Sequence, residues 1–305
     1  MLKKAARKLL NKIGRLLFSD LILQDERTML AIGSVLSITN SEKKHSNIHE
    51  YEFKIFSQFG DDGLIQYFIK NINIENKTFI EFGVNDYLES NTRFLLMNNN
   101  WSGFVIDGSL ESMNKLKQQD WFWKYNLTCR VAFVDKENIN SILMESGFKN
   151  VGILHIDIDG NDYHILEEIN LTYFNPSIII MEYNSVFGVE RAITTPYDPL
   201  FNRTKYHFSN LYFGASLKAL TTLADKLNYA LICCNSAGNN AYFIRRDLLN
   251  ESIKEVDIEN AYIESKFRES KDCNKKHTYL SGKSRLNEIK GQNVLNVITN
   301  ELEKL

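Results

Sequence analysis

The stretch "ILHIDIDGNDYHIL" places three carboxylates, Asp157, Asp159 and Asp162, within six residues, directly after an apolar run typical of a buried strand. Residues two apart in a strand share a face and lie about 6.6 Å apart, so Asp157 and Asp159 would repel each other by roughly 2–3 kcal/mol at an effective dielectric constant of about 20. A cation, a set of hydrogen-bond donors or open water must offset this repulsion. The cluster is therefore a candidate functional site.

The elements around this cluster alternate between strands and helices. Five buried strands are predicted, over residues 77–84, 102–109, 129–135, 151–159 and 177–184. The segments that separate them are long enough for helices, which requires parallel pairing with right-handed crossovers. The pattern predicts an α/β fold with a doubly wound, Rossmann-like sheet.

The last two predicted strands differ from those of NAD-binding sheets, in which all strands are parallel. After an amphipathic helix over 215–228, the strands "YALICCN" and "AYFIRR" are joined only by "SAGNN". So short a connection forces these two strands to be antiparallel. We therefore expect about seven strands, all parallel except for an antiparallel strand in the C-terminal hairpin.

Three segments are predicted along the chain. They are an N-terminal helical and amphipathic segment over 1–45, the sheet domain over 46–248 and a C-terminal helical tail over 249–305. The tail is charged and weakly patterned until "NVLNVITNELEKL", which we expect to form a terminal helix. The sequence assigns the tail no function and does not define the oligomeric state.

The composition excludes several classes of protein. With 305 residues, 44% of them hydrophobic, the chain can bury a sizeable core, and its net charge of −2 gives no argument for a nucleic-acid partner. The four cysteines form no C-x-x-C pair and have no histidine at metal-ligand spacing, which argues against a zinc module or a disulfide framework and favours a cytoplasmic location. No apolar run approaches the roughly 18–20 residues that span a bilayer.

Residues 1–17 carry six basic residues and no acidic one. At about 100° per residue, their leucines, alanines and isoleucine fall on one side of a helix and their lysines and arginines on the other. Such a helix is suited to lie on the anionic inner face of the membrane. In the alternative interpretation, it packs on the domain or on a partner with its basic face in solvent. The interleaving of basic and apolar residues argues against a signal peptide.

The motifs "FIEFGVNDYLESNTRFLL", "NNWSGFVIDGS", "LHIDIDGNDY", "IIMEYNSVFG" and "YFGASLKAL" resemble the FkbM-like branch of class I methyltransferases, which use S-adenosylmethionine (SAM). The resemblance spans residues 52–247, and the antiparallel terminal hairpin is a hallmark of the class. It implies methyl transfer from SAM to a sugar hydroxyl of a surface polysaccharide or its nucleotide- or lipid-linked precursor. Two other functions stay open: an NAD-dependent oxidoreductase, and a non-catalytic glycan-assembly or membrane-scaffold protein.

The resemblance and the strand ends together indicate a cofactor site. Gly83 lets the backbone approach a ligand, and Glu81 stands where the family's first-motif acid binds the methionine end of SAM. Asp107 follows 26 residues after Glu81, where Rossmann-like folds bind ribose; its alternative role is to cap the next helix. The other predicted cofactor residues are Gln58, Asp61, Asn91, Gly108 and Asp135. The segment "SQFGDDG" forms either a lid over SAM or only a capped helix start.

The stretch "DIDGNDY" also resembles the D-G-D-x-Y element of macrocin-type O-methyltransferases, whose acids hold a magnesium ion. The implied metal ligands are Asp157, Asp159, Glu182 and Asn184, an oxygen-rich set suited to Mg²⁺. Such an ion would lower the pKa of a substrate hydroxyl, and the alkoxide would attack the SAM methyl group. In the metal-free alternative, Asp157 binds SAM or a substrate hydroxyl directly. His155 and His164 are candidate bases, and His155 is otherwise a structural histidine.

The loop "TTPYDPLFNRTKYHF" over 194–208 follows the fifth strand and is the predicted substrate loop. Loops at this edge of a parallel sheet hold substrates, and aromatic and charged side chains suit a sugar. The predicted substrate residues are Asn184, Tyr197, Asp198 and Arg203. The alternative is an ordinary excursion with buried aromatic side chains.

Overall fold

A computed structural model describes residues 24–305, so the predicted amphipathic helix over 1–17 lies outside the described residues. A sheet with helices on both faces forms the body of the protein. The ten strands are β1 Thr78–Phe82, β2 Ser102–Asp107, β3 Leu127–Val131, β4 Ile153–Ile156, β5 Ile178–Glu182, β6 Ile193–Thr194, β7 Tyr229–Cys234, β8 Asn240–Arg245, β9 Asn293–Asn296 and β10 Glu301–Lys304.

The helices connect the strands and pack on both sides of the sheet. The first helix, α1, is described from residue 24 to residue 42. The others are α2 Asp61–Asn71, α3 Arg93–Asn99, α4 Leu110–Lys117, α5 Ile139–Met144, α6 Asp162–Glu168, α7 Leu171–Phe174, α8 Arg203–Tyr206, α9 Leu217–Lys226, α10 Ile258–Ala261 and α11 Lys283–Glu288. Within residues 24–305, no helix is long and apolar enough to cross a membrane.

The main sheet has seven strands in the order β3-β2-β1-β4-β5-β8-β7. The pairs from β3 to β5 are all parallel, whereas β8 is antiparallel to both β5 and β7. The predicted α/β fold with an antiparallel C-terminal strand is therefore confirmed. Because the chain turns from β1 outward to β3 and then returns to β4, the strand order reverses between β1 and β4. Open sheets bind ligands at such a switch point, outside the carboxyl ends of the strands.

The central strands are apolar because both of their faces are covered. Phe79 of β1 pairs with Ile153 of β4, and both belong to one hydrophobic core. Ile80 and Leu154, one residue further along, belong to the core on the opposite face. A strand buried on both faces cannot alternate between apolar and polar residues, so it is an almost continuous apolar run in the sequence.

The terminal helix predicted over "NVLNVITNELEKL" is wrong. This segment forms the hairpin β9–β10, and β9 also pairs with β6 in a separate three-stranded sheet. Asn300, with a φ of 59°, lies in the turn between the two strands, a conformation that asparagine tolerates and that ends a helix. Val294 is fully buried in β9, where β-branched residues are favoured. The tail is therefore not wholly helical, although its boundary at residue 249 stays a prediction.

Candidate active site

Two adjoining clefts open at the carboxyl ends of the parallel strands. The main cleft has a volume of ≈ 680 Å³ and runs from the end of β2 to the end of β5. The adjoining cleft has a volume of ≈ 550 Å³ and lies above β1 and β4. Both are lined by Gln58, Phe82, Gly83, Asn85, Asp157 and Asn239. The clefts thus lie at the topological switch point, along the strand ends at which the sequence predicted a site.

Gly83 ends β1 at the boundary between the two clefts. Its φ is 70°, and a Cβ there would lie 1.7 Å from the backbone carbonyl oxygen of Asp157. Only glycine allows the ends of β1 and β4 to approach this closely. Gly83 was predicted to let the backbone approach a ligand; the close approach that the structure shows is between the two strand ends, and the contact with a ligand stays a prediction.

Glu81 is buried below the adjoining cleft, which it also lines. Its carboxylate accepts hydrogen bonds from the Asn91 backbone N–H at 3.0 Å, from the hydroxyls of Ser90 and Thr92, and from His155 Nδ1 at 2.9 Å. Burial raises the pKa of Glu81, but the bonds from His155, Ser90 and Thr92 outweigh it and leave the pKa below its usual value. Glu81 therefore stays ionised and orders the loop that opens α3.

His155 lies on β4 beside Glu81 and is buried. Its Nδ1 bonds to Glu81 and its Nε2 accepts from the Asn91 side chain at 3.3 Å, so both ring nitrogens are engaged. His164 is likewise committed, since its Nε2 donates to the Thr195 carbonyl at 2.8 Å. His155 therefore has no free ring nitrogen to offer the acidic cluster. The structure thus places His155 as a positioning partner of Glu81, instead of the predicted base.

Asp107 ends β2 and lines the main cleft. Its two oxygens accept the backbone N–H groups of Asn85 and Ser109, each at 2.7 Å. Asp107 therefore caps the turn before α4 and also fixes the loop after β1. Each carboxylate oxygen has a second lone pair, so these bonds leave capacity for a ligand hydroxyl. Gly108 lines the same part of the cleft.

Two predicted cofactor residues do not line either cleft. Asp135 exchanges hydrogen bonds with Asn138, at 2.8 Å and 3.0 Å, in a reciprocal cap. Asp61 is fully buried and accepts bonds from Asn235, Asn240 and Tyr242. The structure does not bring these two carboxylates to a cleft, because they bond to neighbouring protein groups, and their cofactor roles stay predictions. Gln58, from the same segment as Asp61, does line both clefts.

The acidic cluster consists of Asp157, Asp159 and Glu182, each of which has a carboxylate oxygen within 4.8 Å of the others. Strand β4 ends at Ile156, not at Asp159 as predicted, so these aspartates are not two apart in a strand. Asp159 has a φ of 59°, and the loop returns it toward Asp157. Asp162 is not part of the cluster, because it accepts the N–H groups of Ile158 and Gly160 at 2.8 Å and holds this loop.

Burial and mutual repulsion raise the pKa values of two carboxylates in the cluster. Burial, reinforced by the charge of Asp159, raises the pKa of Asp157 to about 7. Burial and the charge of Asp157 raise the pKa of Glu182 well above its usual value. Glu182 Oε2 is buried and has no hydrogen-bond partner among residues 24–305. An unpartnered oxygen beside two further carboxylates is the donor set that a hard divalent cation prefers, so the residues present fit Mg²⁺.

Arg203 is the predicted substrate residue that the structure places in the main cleft. It donates to Asp159 at 2.9 Å, to the Asn210 carbonyl at 2.7 Å and to Glu269. Its guanidinium lies over the Phe213 ring, 3.6 Å from the ring centroid. Because three groups hold it, Arg203 is a fixed cation at the rim of the acidic cluster.

The other predicted substrate residues lie outside the main cleft. Asn184 is buried; its side chain accepts from the Val186 N–H and donates to the carbonyls of Leu211 and Phe213. These bonds hold the Asn184 amide against the chain around Leu211 and Phe213. The Tyr197 hydroxyl accepts the Lys136 N–H, and Asp198 accepts from the Leu200 N–H and the Tyr206 hydroxyl. The structure does not bring these three residues to the main cleft, and their binding roles stay predictions.

Several residues of the main cleft were not predicted from the sequence. They are Phe59, Asn85, Phe133, Asn161, Phe201, Asn239, Phe267 and Glu269. Phe133 is 62% exposed, and it directly follows β3, where a ring can stack on a flat ligand. The sequence carried no signal for this position, because the third strand was predicted over 129–135 and so included Phe133, whereas β3 ends at Val131. Phe267 and Glu269 come from the C-terminal tail and carried no signal in the sequence.

No protein-family model matches the chain, and no curated protein matches it. Solved structures with a similar arrangement include an O-methyltransferase from Bacillus cereus in complex with S-adenosylhomocysteine (SAH), with 13% identity, 76% of this chain and 97% of that chain covered, and a TM-score of 0.41. TrmK of M. capricolum, also in complex with SAH, has 13% identity, 62% and 70% coverage and a TM-score of 0.37. The N-terminal domain of EvdMO1, in the presence of SAH and D-fucose, has 9% identity, 60% and 80% coverage and a TM-score of 0.36. Similarity at this level does not assign an activity to the chain.

Proposed function

We propose that this protein is a SAM-dependent O-methyltransferase that acts on a sugar hydroxyl, in a surface polysaccharide or its nucleotide- or lipid-linked precursor. The observation that carries the proposal is a single cleft with Asp107 at one end and the cluster of Asp157, Asp159 and Glu182 at the other. The antiparallel β8 beside β5 agrees with the class I methyltransferase order and differs from the all-parallel NAD-binding sheet. The resemblance to the FkbM-like branch supports the same assignment.

The β1–β3 side of the cleft fits the cofactor. Asp107 has lone pairs for ribose hydroxyls, and Phe133 offers an exposed ring to the adenine. Gly83 lets the backbone approach the methionine part, beside the ordered loop of Glu81 and Asn91. When bound, SAM supplies an electrophilic methyl group on a sulfonium centre. Each of these residues only binds and orients the cofactor.

The β4–β5 side of the cleft fits the acceptor hydroxyl. Asp157, Asp159 and Glu182 would hold Mg²⁺, which would make the hydroxyl more acidic. Without a metal, the same residues can still act, because a carboxylate with a pKa of about 7, as at Asp157, is suited to accept a proton at neutral pH. In the metal-free form Asp157 takes the proton from the oxygen that accepts the methyl group. With the ion bound, the carboxylates would serve as its ligands, and the more acidic hydroxyl would give its proton to water.

Calorimetric titration of the full chain with SAH, and separately with NAD⁺, tests the cofactor assignment. We expect SAH to bind and NAD⁺ not to bind. Binding of NAD⁺ alone would identify an oxidoreductase and overturn the proposal. Binding of SAH with no transfer of tritiated methyl groups from SAM to any polysaccharide or sugar nucleotide would instead favour a non-catalytic glycan-assembly protein.

We also propose that the protein works in the cytoplasm at the inner face of the membrane, where lipid-linked sugar precursors would be accessible. Six basic residues and no acidic one in 1–17 support an anionic lipid surface as the partner. Nothing in the composition favours nucleic acid as a further partner, since the net charge is −2.

A further inference from the structure

Residues 262–271 of the C-terminal tail, called the strap here, cross the open edge of the main cleft. The Ser265 N–H donates to the Ser185 hydroxyl at 3.0 Å, beyond the end of β5. The Lys266 N–H donates to the Ala237 carbonyl at 2.9 Å, in the β7–β8 turn, and the Lys271 N–H donates to the Ser209 carbonyl at 3.2 Å. The strap therefore runs from the antiparallel hairpin to the substrate loop.

The strap is built into the fold. A Cβ on Gly238 would lie 2.7 Å from both the Ile263 carbonyl oxygen and the Ser265 nitrogen, so the turn and the strap touch backbone to backbone. The buried Arg285 of α11 donates to the Ser265 hydroxyl and to Glu264, at 2.8 Å in the second case. A buried arginine is retained where its charge is paired, so the rest of the tail fixes the strap in position.

Two strap side chains face the main cleft. Phe267 stacks on Phe59, with ring centroids 5.5 Å apart and an angle of 16° between the rings. Glu269 is held by Arg203, the cation that also binds Asp159 of the acidic cluster. The strap thus places an aromatic surface and a charged pair in the cleft that contains the acidic cluster.

These groups lie at the other end of the main cleft from Asp107 and Phe133. Phe133 and Asp107 follow β3 and β2, whereas the strap crosses beside β5 and the β7–β8 hairpin, at the other end of the sheet order. The groups on this side are an aromatic pair, two carboxylates and a guanidinium. A sugar ring has one face of C–H groups, which packs on an aromatic ring, and hydroxyls, which bond to carboxylate and guanidinium groups.

We propose that the strap forms the acceptor subsite and that Phe267 is the residue on which a sugar ring stacks. This inference rests on the proposed function and specifies which part of the chain selects the substrate. Glu269 and Arg203 then fix the orientation of the ring by bonding its hydroxyls. The C-terminal tail, which has no assigned role in the sequence, becomes the specificity element of the enzyme.

Saturation-transfer NMR tests the subsite on the full chain with saturating SAH. The probes are the methyl glycosides of glucose, galactose, mannose, fucose, rhamnose and N-acetylglucosamine, each at millimolar concentration. We expect at least one glycoside to bind. Phe267→Ala should weaken that glycoside by about three- to tenfold, as expected for the loss of an aromatic contact. Phe267→Tyr keeps a ring and should retain binding.

Trp123→Ala is the matched control, because Trp123 is 80% exposed, precedes β3 at the amino ends of the parallel strands, and does not line either cleft at their carboxyl ends. It should leave glycoside binding unchanged. Phe267→Leu, which keeps apolar volume without a ring, replaces Phe267→Ala if that variant does not fold. Failure of every glycoside to bind wild type, or equal binding by Phe267→Ala or Phe267→Leu, would overturn the subsite. SAH affinity, measured in parallel, tests the proposed function separately. If SAH does not bind, the proposed function fails, and the same glycoside measurements without SAH still decide the strap.

Discussion

The backbone carbonyl oxygen of Asp157 lies 1.7 Å from the point that a Cβ on Gly83 would occupy. The ends of β1 and β4 therefore meet at the centre of the site with no room for a side chain. Gly83→Ala must move backbone and must also hold alanine at a φ of 70°. We expect its free energy of unfolding to fall by at least about 3 kcal/mol in urea denaturation.

Gly147→Ala is the control for this prediction. Gly147 has a φ of 69°, almost the same as Gly83, but a Cβ there meets nothing within 4 Å. It should lose only about 1 kcal/mol, the cost of the backbone conformation alone. Equal losses in the two variants would show that the contact with Asp157 is unimportant.

Replacement of Asp107 by alanine should weaken SAH binding by about 1.5–3 kcal/mol, because a charge-assisted bond to ribose is lost. Asp135→Ala is the matched variant, since Asp135 also follows a strand of the sheet but does not line either cleft. Calorimetry should find its SAH affinity unchanged. If both variants bind SAH as wild type does, Asp107 serves only to cap α4 and hold Asn85.

Asp159→Asn should separate stability from activity. Asp159 is exposed, and an exposed ion pair with Arg203 contributes at most about 1 kcal/mol, while the substitution also relieves repulsion by Asp157. The melting temperature should stay the same or rise, whereas methyl transfer to the bound glycoside should fall by about 10² or more. Glu182→Gln should likewise lower methyl transfer without lowering the melting temperature. If Mg²⁺ takes part, EDTA should reproduce the loss of activity in the wild-type protein.

Glu190→Gln, at an exposed acid outside the clefts, should change neither quantity and serves as the control. An enzyme that responds to Asp159→Asn but not to EDTA would be metal-independent. An Asp159→Asn protein that melts much lower and keeps full activity would make the cluster a structural feature.

The raised pKa of Asp157 predicts a pH dependence of stability in metal-free protein. An aspartate titrates near 3.8 when unfolded, whereas Asp157 does so at about 7 in the fold, so the folded state binds more protons between these values. The free energy of unfolding should therefore fall as the pH rises from about 4 to about 7. Asp157→Asn should remove part of this fall in urea denaturation at a series of pH values with EDTA present. Parallel curves for wild type and variant would contradict the shift.

Membrane binding by residues 1–17 predicts that replacing Leu9, Ile13 and Leu16 with Asp releases the protein from anionic vesicles without changing its SAH affinity. The control carries the same charge change at three exposed leucines of the described part, Leu110, Leu200 and Leu302. It should still sediment with the vesicles. If wild type does not sediment, the membrane proposal fails.

Much of the sheet could be predicted from the sequence, because strands buried on both faces are continuous apolar runs that a short-range pattern reveals. The antiparallel hairpin could also be predicted, because the connection between β7 and β8 is too short for a crossover. The terminal hairpin β9–β10 was not, because its pairing with β6 joins segments about 100 residues apart, which no local pattern encodes.

The site was predicted only in part, for a reason visible at Asn184, Asp198 and Asp135. Their side chains have the right chemistry and lie near strand ends, but nearby backbone N–H or carbonyl groups satisfy them. Asparagine and aspartate cap turns as readily as they bind ligands, and the sequence does not distinguish the two roles. The Asp61 carboxylate is also bonded within the protein, in this case by side chains of β8 and of the turn before it.

The sequence by itself determined the succession of strands and helices, the antiparallel terminal hairpin and the residues at the strand ends, namely Gly83, Asp107 and the acids after β4, because strand periodicity and turn length are local properties. Only the tertiary structure decided which carboxylates remain free and what faces them across the cleft. Arg203 joins Asp159 to Glu269, and Phe267 meets Phe59, across separations of 44 to 208 residues. Such contacts join residues that are far apart in the sequence, so they form only in the folded chain and no local pattern predicts them.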